Sequence, residues 1–361
     1  MEKLQQAATI FLFLSLTSFL ANLLTAAVAT PPAVFVFGDS TVDVGNNNFL
    51  PSGAPKADHP HYGVDFPDHI PTGRFSNGLL AVDFVAHAAG IHRSPPPFLS
   101  LDPNVFYPRP GVSFASAGCG VLDTTGTDVL TMTQQIKDFS TFVGDLTAAE
   151  GAQAAAAFLS KSLFYVSVGS NDLFSFFPVL IPGNSTQKDE IVASVLFQFE
   201  GQLRSIYNLG ARKFAVVGTG QLGCIPGIRI RVLGGACSPD LNDLSLRYKN
   251  AVRALLDLLF VELEGFKFSF SDFFEMTSLV QSDPQQYGIT ELAAACCGSG
   301  SLNAEGPCIP NATYCPDRKQ YFSWDAIHPT QALYRLAAEL SVNGPPPFAY
   351  PINIHTLLQS T

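Results

Sequence analysis

Charge is scarce in this sequence. Of 361 residues only 14% are charged, against about a quarter in an average soluble chain. Lys and Arg number 20 against 30 Asp and Glu, a formal net charge of -10. Such a balance leaves no basic footprint for a phosphate backbone and excludes nucleic acid as a partner. Long charged heptads are missing, which excludes a coiled coil. Internal repeats and linkers are missing too; the break at Pro345-Pro346-Pro347 lies too near the C-terminus to separate a further domain. Past the N-terminus no run is long and apolar enough to span a bilayer. C-x-x-C chelate spacing is also absent, since Cys296 and Cys297 are adjacent, which argues against structural zinc.

Hydrophobic residues make up 47%, an ordinary share that excludes intrinsic disorder. Gly (29) and Pro (26), with Ser, Thr and Asn, fill the places charge leaves. The first 29 residues read as a secretory leader. Ala7 to Ala29 carry no charge, Ile10 to Leu14 form an apolar run, and Ala27-Val28-Ala29 fits the A-x-A cleavage pattern ahead of Pro31-Pro32. Cleavage there starts the mature chain at Thr30 and leaves residues 30–361 as one soluble domain with no integral membrane segment. The alternative is an uncleaved signal anchor, with Lys3 as a weak positive flank.

A secretory route gives the seven cysteines a reading. Cys224, Cys237, Cys296, Cys297, Cys308 and Cys315 suit up to three disulfides of open connectivity and leave Cys119 as the free thiol. Asn184 and Asn311 stand in N-x-[ST] sequons and become glycosylation acceptors on the same route.

Short β-branched and aromatic runs alternate with helical patterns, which predicts a parallel sheet covered by helices on both faces. Strands are expected at Val34–Phe37, around Gly111–Ala115, at Leu163–Val168, Lys213–Val217 and Lys267–Ser271. Helices are expected near Gly78–Ala89, Lys188–Leu209 and Asn242–Glu264. In such sheets ligands bind beyond the carboxyl ends of the strands. Those ends carry Gly38-Asp39-Ser40, Ala115-Ser116-Ala117-Gly118 and Gly169-Ser170-Asn171-Asp172, and the C-terminal region adds Asp325-Ala326-Ile327-His328.

A hydroxyl is a poor nucleophile until an imidazole takes its proton, and the imidazole needs a carboxylate to fix its tautomer. Ser40, His328 and Asp325 supply the three groups. Asn171 can offer a side-chain N–H to an oxyanion, and the backbones of Gly118 and Ser40 can offer two more. Each piece alone has a plainer reading: Gly-Asp-Ser as a turn, Asp-x-x-His as a helix start with a surface His, Gly-Ser-Asn-Asp as a turn with an N-cap. Their common position at strand ends favours the chemical one.

Together the blocks Phe35 to Asn48, Pro71 to Gly78, Gly111 to Gly118, Val168 to Asp172 and Trp324 to Thr330 resemble, in order, the plant-type GDSL esterase/lipase family of the SGNH hydrolase superfamily. The resemblance covers essentially the mature chain. It implies an α/β fold, a three-layer α/β/α sandwich with a mainly parallel five-stranded sheet, and a secreted carboxylic ester hydrolase that needs no cofactor and no metal. It implies Ser40 as nucleophile, His328 as general base, Asp325 as its orienting partner, and an oxyanion hole from Ser40, Gly118 and Asn171. Two departures stand out: Ser113 where relatives commonly carry Asn, and Ala117-Gly118 where many carry two glycines, which leaves Ala117 or Gly118 as the backbone donor. An acyltransferase would use the same residues, and a non-catalytic wall or carbohydrate-binding protein could share the fold. The family fits esters from acylglycerols to acetylated polysaccharides.

The remaining candidates carry less. Asp58, His59, His61 and His69 look like a metal cluster but sit in a Pro-rich loop with no second grouping, and read as exposed loop residues. Asp39 and Asp172 read as loop-capping carboxylates. Cys119 reads as a small buried residue. Phe174, Phe176 and Phe177 are either core or the lining of an acyl pocket.

Overall fold

The structure, a computed structural model, describes residues 30–360 except 103, 104 and 106–109. The predicted leader, residues 1–29, lies outside the described residues.

Four parallel strands form the centre: β1 (Val34–Gly38), β2 (Leu163–Ser167), β3 (Lys213–Val217) and β4 (Lys267–Ser271), adjacent in that order. A fifth strand, Ala349–Tyr350, runs antiparallel to β4. Period-two alternation sends Val34, Val36, Leu163, Tyr165 and Ala215 to one face and Phe35, Phe37, Phe164, Phe214, Phe268 and Phe270 to the other. Helices Met132–Glu150, Ser185–Asn208 and Pro239–Glu262 cover the phenylalanine face. Helices Ala81–Ala88, Gln331–Asn343 and Ile354–Gln359 cover the other. Strands buried on both faces need almost no charge.

The expected helices form, with starts set by caps. Asn184 and Ser238 accept the N–H groups of Gln187 and Leu241, so both long helices begin about a turn before the apolar periodicity suggests. The strand expected at Gly111–Ala115 needs correcting. Its chain does run beside β1, with Val36 N–H donating to Val112 O, Phe114 N–H to Val36 O and Ser116 N–H to Gly38 O. But Gly111 takes φ +103°, where a Cβ would lie 2.1 Å from Val34 O, and only Ser113 pairs with β1 as a strand residue. Ala349–Tyr350 takes the fifth place in the sheet instead.

Beyond β4, Glu291–Ala295 pairs with Tyr321–Ser323, and Cys297–Gly298 with Thr313–Tyr314. Cysteines pair as Cys224–Cys237, Cys296–Cys315 and Cys297–Cys308, and Cys119 is buried and free. No helix among the described residues is long and apolar enough to cross a membrane.

Candidate active site

The turn leaving β1 sets the first residue of the site. Gly38 has φ +135°, and a Cβ there would lie 1.8 Å from Ser167 O on β2, so only glycine fits. Gln135 clamps this glycine from the Met132–Glu150 helix: its Oε1 accepts Gly38 N–H and its Nε2 donates to Gly38 O, both at 2.9 Å. Asp39 then accepts the Thr41 N–H and hydroxyl. Enclosure pushes the Asp39 carboxyl up to about 6.

Ser40, thus placed, has its Oγ 2.8 Å from His328 Nε2. The other imidazole nitrogen, Nδ1, lies 2.9 and 2.8 Å from the two oxygens of Asp325. Residues 324–328 make a tight loop: Trp324 N–H donates to His328 O, and Asp325 Oδ1 accepts the N–H groups of Ile327 and His328 at 2.8 Å. This loop brings the carboxylate to the ring, which the three-residue spacing by itself does not decide. Burial opposes ionisation of Asp325, but the imidazole beside it and these hydrogen bonds hold its carboxyl below the usual range.

Two residues of the site escape sequence reasoning. The Tyr62 hydroxyl donates to Asp325 Oδ2 at 2.8 Å. Burial, then the carboxylate beside it, raises the Tyr62 phenol well above its ordinary value and keeps it a neutral donor. Phe75 packs its ring 4.8 Å from that of His328, centroid to centroid. Both come from the loop 57–77. Arg74 anchors that loop through a buried bidentate pair with Asp83, Nε and Nη2 each 2.9 Å from a carboxylate oxygen.

The second block is tied to the first by asparagines. Asn46 Nδ2 donates to Ser113 O and Ala115 O, and Asn47 Nδ2 to Ala117 O. Asp43 accepts the N–H groups of Gly45, Asn46 and Ala117 at 2.7 to 3.0 Å. The Ala117 N–H is therefore occupied. Those of Gly118 and Ser40 have no acceptor among the described residues. Asn171, in the first turn of the Ser170–Phe176 helix, donates one Nδ2 hydrogen to Cys119 O at 2.8 Å. The second hydrogen of that NH₂ is left for the cavity that Asn171 lines together with Ser40 and His328.

Asp172 accepts from Val121 N–H, Leu122 N–H and the Thr125 hydroxyl, as a loop-capping carboxylate does. Burial raises its carboxyl in spite of them. His59 Nδ1 lies against the Pro60 carbonyl, His61 packs its ring at a tilt against Tyr314 and His69 Nδ1 lies against Val64 O. Among the described residues no three His, Cys, Asp or Glu side chains gather as a metal site. Burial pushes the Cys119 thiol well up. Phe174 lines the cavity, whereas Phe176 and Phe177 pack against the phenylalanine-face core. Asn184 is half-buried as a helix cap and Asn311 is exposed.

The serine-imidazole-carboxylate series is the arrangement acyl transfer requires. Residues 34–341 match the family described as GDSL-like lipase/acylhydrolase. Two Arabidopsis thaliana GDSL esterase/lipases are similar along almost their whole length. One is 35% identical over 348 residues (93% of this chain, 92% of its own), the other 38% over 335 (90% and 85%). A solved structure from Parabacteroides merdae, described as a GDSL-like lipase, superposes with a TM-score of 0.40 at 12% identity, covering 86% of this chain and 94% of its own. With 308 of its residues inside the family match and full-length relatives above 30% identity, the chain belongs to the GDSL lipase/acylhydrolase family and is a carboxylic ester hydrolase.

Proposed function

We propose that this protein hydrolyses esters through an acyl-enzyme on Ser40. The supporting observation is the 2.8 Å contact of Ser40 Oγ with His328 Nε2 while Asp325 holds Nδ1. As Ser40 Oγ bonds to the ester carbonyl carbon, its proton passes to His328 Nε2. Asp325 stabilises the imidazolium, and the tetrahedral oxyanion takes hydrogen bonds from Ser40 N–H, Gly118 N–H and Asn171 Nδ2. His328 returns the proton to the leaving alcohol oxygen as the carbonyl re-forms. It then deprotonates a water that attacks the acyl carbon, and the second collapse releases the acid and restores Ser40.

The test is Ser40→Ala with a short p-nitrophenyl ester and a fluorophosphonate label. Turnover is expected to fall at least about a thousandfold and labelling to vanish. Wild-type turnover in the variant would overturn the assignment.

Residues 30–361 act, in this reading, as one secreted hydrolase domain released from the leader 1–29. Three bonded cysteine pairs suit an oxidising compartment. Asn311 is open to a glycan, and Asn184 can carry one on Nδ2 while Oδ1 goes on capping its helix. A purified secreted form should begin at Thr30 and lose mass on N-glycosidase treatment; a retained leader would refute cleavage.

A further inference from the structure

Acids outnumber bases in this chain, yet four of its 20 Lys and Arg gather round one cleft. The cleft has a volume of about 790 Å³, and Lys161, Arg212, Lys213 and Lys267 line it with Glu264 as the one carboxylate. It lies at the opposite end of the sheet from Ser40: Lys213 and Lys267 open β3 and β4, whereas Ser40 follows the end of β1. At about 3.3 Å per residue, roughly 15 Å of strand separates the two ends.

Lys213 and Lys267 are register partners on neighbouring parallel strands, so their side chains leave the same face from backbones about 4.8 Å apart. Lys161 ends the Ala152–Lys161 helix two residues before β2. Like charges gathered this closely repel. None of the four cations pairs with a carboxylate among the described residues, not even with Glu264. Lys213 is only 9% exposed. Burial, then the charges of Lys267 and Lys161, lowers its ammonium below the ordinary value.

The donors are held in place but not used up. Lys213 Nζ donates one hydrogen to Leu358 O at 2.9 Å, and its other two have no acceptor among the described residues. Arg212 Nη1 donates to Tyr207 O and Ala211 O, and the guanidinium carbon sits 4.0 Å from the centre of the Tyr207 ring. Its Nε and Nη2 edge is left free, the same edge with which Arg74 grips Asp83. A buried ammonium without a counter-charge is unfavourable, and a ligand that brings one relieves it.

We infer that this cleft binds a small polyvalent oxyanion of the diphosphate type, at a site separate from the ester site. The anion's oxygens take the Nε and Nη2 edge of Arg212 and the ammonium hydrogens of Lys161, Lys213 and Lys267. So bound, the anion ties the end of the Ala152–Lys161 helix to the first residues of β3 and β4. It stabilises the fold without touching Ser40.

The experiment titrates the mature chain with sodium pyrophosphate by calorimetry in about 20 mM NaCl, where screening is weak. One site is expected, weaker for inorganic phosphate and absent for acetate. Pyrophosphate at about a hundredfold over Kd should raise the thermal midpoint by about 3–6 °C and leave p-nitrophenyl acetate turnover unchanged. Lys267→Gln should weaken pyrophosphate at least about tenfold, and Lys161→Gln, on an exposed side chain, about threefold or more. Lys319→Gln removes an equal charge from another exposed position and should leave affinity within about twofold. Without anion, Lys267→Gln should unfold at or above the wild-type midpoint because a repulsion is gone. If that variant does not fold, Lys161→Gln reads the same loss. No binding in low salt, equal binding of acetate, full affinity in both lysine variants, or competition with the ester would overturn the site.

Discussion

Tyr62 donates its phenolic hydrogen to Asp325 Oδ2 across 263 positions of sequence. The carboxylate that orients His328 therefore has a side-chain donor of its own, beside the two backbone N–H groups on Oδ1. Removing that donor leaves Asp325 held only by its backbone N–H partners and the imidazole. Tyr62→Phe should lower kcat/KM by about three- to tenfold with KM little changed, because Asp325 is held less firmly. Wild-type kcat/KM in the variant would assign Tyr62 to packing alone.

Nothing in the sequence points to Tyr62. It stands among His59, Pro60 and His61, a stretch that invites a metal reading, and no spacing rule links it to a carboxylate so far along the chain. Ser40, Asn171 and the Asp325/His328 pair are legible because each follows a strand or a recognisable block. The partners that hold them, Tyr62, Phe75 and Gln135, depend on how the loop 57–77 and the Met132–Glu150 helix return to the strand ends. That return is set by tertiary contacts such as Arg74 with Asp83.

Asp39 gives a pH dependence of definite sign. Its folded value of about 6 lies above the ordinary 3.8 because the site is dry. The native state therefore holds this proton more tightly than the unfolded chain, and stability falls as pH rises from about 4 through about 6. Asp39→Asn keeps an acceptor for Thr41 and escapes the penalty. Urea unfolding should show no difference near pH 3.5 and the variant more stable by about 2–3 kcal/mol at pH 7.5. A variant less stable at the higher pH would contradict the sign.

Arg74 and Asp83 form a buried pair in which each charge depends on the other. Burial opposes ionisation of Asp83, and Arg74 with its hydrogen bonds more than offsets this, holding the carboxyl below its usual range. Arg74→Ala leaves that carboxylate alone and should cost about 3–5 kcal/mol in denaturant unfolding. Arg74→Lys should fall between, since an ammonium cannot make both bonds in one plane. Equal midpoints for lysine variant and wild type would mean the fork geometry is irrelevant.

The adjacent cysteines bear on the loop carrying Asp325 and His328 through the backbone. Cys296 N–H donates to Ser323 O and Cys297 N–H to Trp324 O, immediately before Asp325. Replacing Cys297 and Cys308 together by serine should lower stability by about 2–4 kcal/mol. Turnover should drop further than the folded fraction does, because the loop holding Asp325 and His328 loses a support. Proportional loss of the two would confine the bond to a stability role.

The fold was readable where periodicity was strong. β3 and β4 fall at the expected residues, and the long helices differ by their capped first turns and by one or two residues at their C-terminal ends. Two places defeated it for different reasons. Gly111 looks like a strand start but takes a positive φ, and the chain after it pairs with β1 only at Ser113. Ala349–Tyr350 is two residues long behind three prolines, too short for any periodicity, and is a strand only because β4 offers an unpaired edge.

The unequal faces of the sheet differ in what a substitution reaches. One face is filled ring against ring, with Phe35 within 5.3 Å of Phe139, Phe142 and Phe164, centroid to centroid. A substitution there disturbs several neighbours at once. The opposite face carries Ala215 and Tyr165 and packs with Tyr334 and Ala338, and Tyr165 and Tyr334 also line the cavity beside Ser40. A change on the cavity-facing side of the Gln331–Asn343 helix therefore reaches the walls around Ser40 without unpacking the rings about Phe35.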